Sequence, residues 1–442
     1  MRRVDGFRAG IAFAASLGLA GCMELGGDVT RARTSDLNAP TIMGSGPKAE
    51  PAVLPAEAQS PVISTLQSRR SILPEGGAFD QVAAAVLAAN SRAAEAELRA
   101  ARLRAEAQSK NWLPTLGPQI SLTSLGQVIA QLVIDQVLFD GGKRKAERDF
   151  AKADVEVSAV RLAEDTNRRV YEALALYVLA QEAREKAGLS AAALKDMGRF
   201  AYIMEQRVNG GISDTSDLNI LRQKLAEIRS SEQMSRETAE TSFAELNAMS
   251  VKKLDGVSGL SAVSVDPAGA RPLAVVLAEA EKERSVAGAQ AERAGHMPVI
   301  CAQVIGGTGG VSAGVTAVTA KPLGFGTGAS LKAIEAATEA ATRRVAQADE
   351  DARRDIARLM QEAQGLDRQG MEAQALTAQA KANLDLFQEQ YDAGQRQVMD
   401  VVGVYETYAR AAQSAASLKY RAVLARLEIA RDLGLLADGS EI

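Results

Sequence analysis

The sequence predicts a mainly α-helical chain with a small transmembrane β part: long coiled-coil rods plus four strands per chain. Three observations lead there. The 442-residue chain is rich in alanine and has 4% aromatic residues and a single histidine, and its glycines and prolines cluster rather than scatter. Helical periodicity runs twice for about 65 residues without a breaker strong enough to end it. Four short stretches alternate apolar and polar residues, as strands with two different faces do.

The first residues read as an address. Arg2, Arg3 and Arg8 precede an apolar run, Gly10 to Leu19, which is too short to span a bilayer as a helix. The run ends in Leu19-Ala20-Gly21-Cys22, similar to a bacterial lipobox, in which the cysteine is acylated and becomes the mature N-terminus. An ordinary secretory signal with a chance cysteine would share the basic start and the apolar core. On the lipobox reading 1–21 is a signal peptide, and 22–75, rich in Pro, Gly, Ser and charge, is an extended lipidated leader. Removing the signal takes the formal charge from −4 to about −6, which argues against nucleic acid as a partner. Past Cys22 only Cys301 remains, so no internal disulfide framework exists and packing alone holds the fold.

The body is one unit written twice. Trp112-Leu113-Pro114 and His296-Met297-Pro298, 184 positions apart, each end a helical run and open a strand-like stretch. Leu138-Phe139-Asp140-Gly141-Gly142 and Leu323-Gly324-Phe325-Gly326 each close such a stretch and begin a long helix. Glu205-Gln206-Arg207-Val208-Asn209-Gly210-Gly211 matches Glu389-Gln390-Tyr391-Asp392-Ala393-Gly394, and each is followed six residues on by an acid, Asp217 or Asp400. The repeats span 76–255 and 272–442, with a linker at 256–271. Each reads helix, hairpin, long helix, tight turn, helix. The pieces are about 76–111, 116–139, 143–208 and 214–249, then 272–295, 298–322, 328–393 and 397–435.

A helix of 65 residues is on the order of 100 Å long. In the second rod Val345, Ala352, Leu359, Leu366, Ala373, Ala380 and Phe387 recur every seven residues, with Ile356, Ala363 and Leu384 in support. That period gives a left-handed supercoil, and alanine in the seam allows close backbone approach. A coiled-coil spacer would show the same seam.

The strands discriminate better. Val128, Ala130, Leu132 and Ile134 alternate with Gln131 and Asp135, and Val311, Ala313, Val315 and Ala317 alternate with Ser312, Gly314 and Thr316. Ile120 and Leu122 alternate with Ser121 and Thr123, and Ile300, Ala302 and Val304 face away from Gln303. Stretches of about ten residues cross a bilayer when tilted. Trp112, Phe139 and Phe325 lie at one end of the hairpins, where an interfacial aromatic girdle belongs. A pair of soluble hairpins capping a bundle would also alternate. Four strands cannot close around a pore; three chains would supply twelve.

The order of elements, the Pro-opened strands, the Leu138-Phe139-Asp140-Gly141-Gly142 run and the Gly-turn-Asp pattern in both repeats resemble the TolC family of outer-membrane efflux proteins, over roughly 76–440. The resemblance implies a homotrimer in the bacterial outer membrane, with a twelve-stranded β-barrel continued by a periplasmic α-helical barrel. It also implies partnership with a periplasmic adaptor and an inner-membrane transporter. The turns at Gly210, Gly211 and Gly394 would form the tip that docks the adaptor. Asp217 and Asp400 look like inner-gate acids, with Tyr391 and Arg396 tying neighbouring helices closed on Ser216 and Asp217. Gly403 stands where some members carry a second acid. Helix capping is the competing role for either Asp.

No catalytic constellation, phosphate loop, cofactor motif or metal cluster is present in the sequence. His296 matches Trp112 in the repeat and reads as interfacial; Cys301 reads as a small packing residue on a strand. The expectation is a passive exit duct rather than an enzyme. A lipid-anchored coiled-coil scaffold without a pore is the alternative.

Overall fold

A computed structural model describes residues 60–89, 93–122, 128–307, 310–319, 321 and 324–441. The signal run, Cys22 and most of the leader lie outside the described residues, as do the hairpin turn Ser124-Leu125-Gly126 and Thr308-Gly309.

Among the described residues eight α-helices and four strands follow in order: α1 (Pro61–Gln67), α2 (Ala78–Leu87), α3 (Ala93–Ser109), β1 (Thr115–Leu122), β2 (Val128–Phe139), α4 (Lys143–Asn209), α5 (Thr215–Met249), α6 (Leu273–Ala294), β3 (Pro298–Gly307), β4 (Gly310–Thr319), α7 (Thr327–Asp392) and α8 (Val398–Asp432). Both rods run unbroken, at 67 and 66 residues. Their ends fall within a residue or two of the Gly and Pro punctuation.

Two readings change. The helix expected over 76–111 is two helices, α2 and α3. Asn90 and Ser91 stand between them in the sequence, and such residues favour caps over helix interiors. The leader, expected to be extended as far as 75, is built into the body from Ser60 onward. Ser60 caps α1, accepting from the Ile63 N–H at 3.3 Å and donating to Glu156 Oε1 at 2.8 Å. Pro61 opens the helix, where its missing N–H costs nothing. Ile63 and Leu66 then pack with Val155, Ala159 and Leu162 of α4. Farther along, the buried Arg69 guanidinium donates to the carbonyls of Leu433 (2.6 Å) and Arg271 (2.9 Å), so the N-terminal segment, the linker and the C-terminus meet at one side chain.

α4 is the central rod, packing against α2, α3, α5, α6 and α8, whereas α7 packs against α6 and α8. Short helices share α4's length: α3 covers its first half through Leu98 and Ala101, and α5 its last half through Leu218 and Leu221. Midway, Tyr177 is fully buried with Phe79 and Phe243 edge-on at 6.0 and 6.3 Å. Each large side chain buried there stabilises the fold by about 1.5–3 kcal/mol. The linker lies over the same place: Tyr177 Oη donates to the Gly259 carbonyl at 2.8 Å and Gln181 Nε2 to that of Val257 at 3.2 Å. Burial pushes the Tyr177 phenol up to about 12, so it remains a donor at neutral pH.

The two hairpins form one antiparallel sheet of order β1-β2-β3-β4. No helix among the described residues is long and apolar enough to cross a membrane.

Candidate functional site

The sheet has two different faces, and the pairing register sorts them. Gln119 pairs with Gln131, Asp135 with Gln303, and Gln303 with Gly314, so these polar residues share a face with Thr115, Ser312 and Thr316. The opposite face holds Leu116, Ile120, Leu132, Ile134, Val304, Val311 and Val315. Those seven are all exposed, from 37% at Val304 to 80% at Val311. On the polar side Gln131, Asp135, Gln303 and Ile305 are half-buried and Val133 is buried. In the two central strands the polar face is therefore the more crowded one. An exposed apolar face over four strands is far larger than scattered surface hydrophobics produce.

Both crossings from sheet to helix are built locally. Asp140 accepts from the N–H groups of Gly142 (3.0 Å) and Arg144 (2.8 Å), tying off the start of α4. Gly141 and Gly142 take φ of 62° and 88°, and a Cβ at Gly141 would fall 2.7 Å from Met297 Cβ. The turn of Leu138-Phe139-Asp140-Gly141-Gly142 therefore needs both glycines. Trp112, Phe139 and Phe325 are all exposed at this end of the sheet. Both ring nitrogens of His296 are buried there without a hydrogen-bond partner.

At the other end of the rods, α4–α5 and α7–α8 turn back in matching ways. The N–H of Ile212 donates to the Arg207 carbonyl and that of Gly211 to Val208, at 2.8 and 2.9 Å; Gln395 to Gln390 and Gly394 to Tyr391 repeat the pattern at the same distances. Gly211 and Gly394 hold φ of 72° and 76°, and Gly210 precedes the first of them as an ordinary αR residue. All three glycines are exposed. The next helices are capped differently. Asp214 accepts from the Ser216 N–H at 3.1 Å, a bond that holds its carboxyl below the usual value. In α8, Gln397 and Asp400 form a reciprocal capping box, with the Gln397 N–H donating to Asp400 Oδ2 at 3.3 Å. Within one chain Asp400 is thus a capping residue, and Asp217 sits half-buried in the first turn of α5.

Tyr391 stacks edge-on against Phe200 at 6.3 Å. Arg396 is turned onto its own hairpin: Nε donates to Gln390 Oε1 at 2.9 Å and the guanidinium lies 4.4 Å over the Phe387 ring. Among the described bonds neither reaches Ser216 or Asp217, so the tie between them is not made inside a single chain. Other side chains bind the helices together near the tip: Lys224 with Glu406, Arg222 with Glu205 at 2.7 Å, and Tyr405 Oη donating to Asp196 Oδ2 at 3.0 Å. Burial and that carboxylate push the Tyr405 phenol far up. Nothing in the local sequence marks these partners, since each bond joins separate helices. Among the described residues no three His, Cys, Asp or Glu side chains meet as a metal site would need.

No protein-family model matches the sequence, and no curated protein is significantly similar to it. Solved structures do match. A membrane protein from Pseudomonas aeruginosa superposes with a TM-score of 0.72 at 17% identity, covering 84% of this chain and 92% of that one. The outer membrane protein VceC from Vibrio cholerae gives 0.68 at 15% identity, over 82% and 96%. The CmeC outer membrane channel of Campylobacter jejuni gives 0.68 at 12%, over 82% and 87%. With its paired repeats, joined hairpins and unbroken rods, this chain has the fold of the TolC-like outer-membrane channel proteins.

Proposed function

We propose that three copies of this chain assemble into a passive duct through the bacterial outer membrane. Cargo would be handed to it by an inner-membrane transporter through a periplasmic adaptor. The observation that carries this reading is a four-stranded sheet with an exposed apolar face, which would turn outward, and a polar face, which would turn inward. Lipid is the medium that suits the outer face, and strands from further copies are what can pair the edges of β1 and β4 and close the wall. Twelve strands from three chains then make a barrel wide enough for a water-filled lumen. The resemblance of the fold to solved outer-membrane channels supports the same reading.

The N-terminus would be anchored by acylation of Cys22, and Trp112, Phe139 and Phe325 would sit at the inner lipid boundary. The turns at Gly210, Gly211 and Gly394 would meet the adaptor. In the trimer, Asp217 and Asp400 would ring the narrow end, and Arg396 and Tyr391 would reach across to Ser216 and Asp217 of a neighbouring hairpin. The duct lowers no chemical barrier, so energy comes from the transporter.

The assembly is tested on semi-native gels and in planar bilayers. The expected result is a detergent-resistant, heat-modifiable trimer that conducts. A monomer released from membranes by high salt overturns the reading in favour of a scaffold. Arg396→Ala should raise single-channel conductance severalfold by freeing the tip; unchanged conductance removes Arg396 from the gate.

A further inference from the structure

The four strands hold forty residues, and one of them carries a charge: Asp135. It lies on the polar face, in a row running Thr115, Asp135, Gln303, Gly314 across the sheet. Gln303 Nε2 donates to Asp135 Oδ1 at 2.8 Å, which fixes the side chain without neutralising it. Basic groups at the junction with the helices are engaged elsewhere. Arg144 and Arg148 both bond to Asn111, and Lys321 pairs with Glu292 at 3.2 Å. Asp135 is four residues from the end of β2, inside the strand section rather than at its rim.

We infer that Asp135 is a specificity-determining residue that makes the strand section of the duct prefer cationic and neutral solutes over anionic ones. The inference rests on the trimeric assembly proposed above. Three symmetry-related carboxylates then form one acid belt on a wall that is otherwise uncharged. Twelve strands spaced about 4.8 Å apart and tilted about 40° close at a radius on the order of 12 Å. The carboxylates reach some 3 Å inward of that, roughly one Debye length from the axis at 0.1 M salt and about three at 1 M. The belt is therefore felt across the whole bore at low salt and hidden at high salt. A screened sum over three charges gives a cation-over-anion preference of about fivefold at 0.1 M, falling towards one at 1 M.

The test is the reversal potential in planar bilayers under a potassium chloride gradient. It is read in an Asp217→Asn, Asp400→Asn background, so that acids at the helical tips do not contribute. Adding Asp135→Asn keeps a group that Gln303 can bond and should lower the permeability ratio about fivefold near 0.1 M. Gln303→Glu, placing a second acid at the same level, should raise it. Both effects should shrink towards nothing at 1 M. Conducting trimers whose ratio is unmoved by Asp135→Asn, or by Gln303→Glu should the first variant not assemble, overturn this inference and leave the duct standing. A parent protein that forms no pores removes the duct and the belt together.

Discussion

α4 and α7 occupy the same place in the two repeats and are 67 and 66 residues long, yet 25 residues of α4 are buried and only five of α7. The sequences differ far less than the burial does: both rods are alanine-rich, and α7 has the clearer seven-residue seam. Neighbours make the difference. α4 has helices of its own chain on both flanks, while α7 has only α6 and α8. Met371, Leu376 and Leu386 of α7 stay 50–64% exposed as a result. The lesson is that a repeat copies an element without copying its surroundings. In the proposed assembly, the copy at the edge of a chain would be finished by another molecule. The sheet repeats the point, with β2 and β3 paired on both sides and β1 and β4 each paired on one.

A matched pair of substitutions can break that comparison outright. Ala173 of α4 is fully buried, and its counterpart one repeat later, Ala357 of α7, is exposed. Ala173→Glu puts an unpaired carboxylate into the core and should cost several kcal/mol, enough to abolish the folded chain. Ala357→Glu should stay within about 0.5 kcal/mol of the parent. Denaturant unfolding followed by circular dichroism measures both, and equal losses would mean that α7 is as enclosed as α4.

The exposed flank of α7 gives a smaller and more specific effect. Met371 is 64% exposed, whereas the matching Ala187 of α4 is 8% exposed. Met371→Lys should leave helicity unchanged and weaken the proposed trimer at least tenfold, about 1.4 kcal/mol or more, read as monomer fraction by light scattering in detergent. Intact trimers would show that this flank faces water in the assembly.

The smallest effect is a pH dependence that α4 has and α7 lacks. Glu185 accepts from Lys419 Nζ at 2.6 Å and Tyr420 Oη at 2.7 Å; the matching position on α7 is the exposed Gln369. Burial pushes the Glu185 carboxyl up, but these two bonds and the Lys419 charge together outweigh it and hold its pKa below the ordinary value of 4.5. A lowered native pKa means stability that is present above 4.5 and lost as the pH falls through the native value. Glu185→Gln should therefore lower stability at pH 7, converge with the parent near pH 3, and so flatten the acid limb of the stability curve between about pH 5 and 3. An unchanged acid limb would show that the two bonds do not hold in solution.

Much of this architecture was legible because its signals are local. The rods, α6 and α8 begin and end near Gly and Pro residues whose backbone demands do not depend on context, such as Gly211 and Gly394 at left-handed φ. Strand alternation also placed Asp135 and Gln303 opposite the apolar face. The end of α2 at Leu87 was missed because Ala88 and Ala89, which follow it, carry no breaking signal inside an alanine-rich run. The docking of 60–75 was missed because Ile63, Leu66 and Arg69 find their partners far away in sequence. At the tip, matched sequence positions suggested matched roles for Asp217 and Asp400. Within one chain the structure gives Asp400 a capping box and caps α5 with Asp214 rather than Asp217.

The sequence by itself determined the two long rods and their lengths, the twofold repeat and the two-faced strands, because periodicity and backbone-restricted residues act within a few positions of the chain. Only the tertiary structure decided that β2 pairs with β3 to merge two hairpins into one sheet, that α4 is enclosed while α7 is left open, and that Arg69, Lys224 and Tyr405 tie distant segments together. Those outcomes depend on which surfaces meet in space. Residues hundreds of positions apart compete for the same apolar stripe or unpaired carbonyl, and a linear pattern does not record which of them wins.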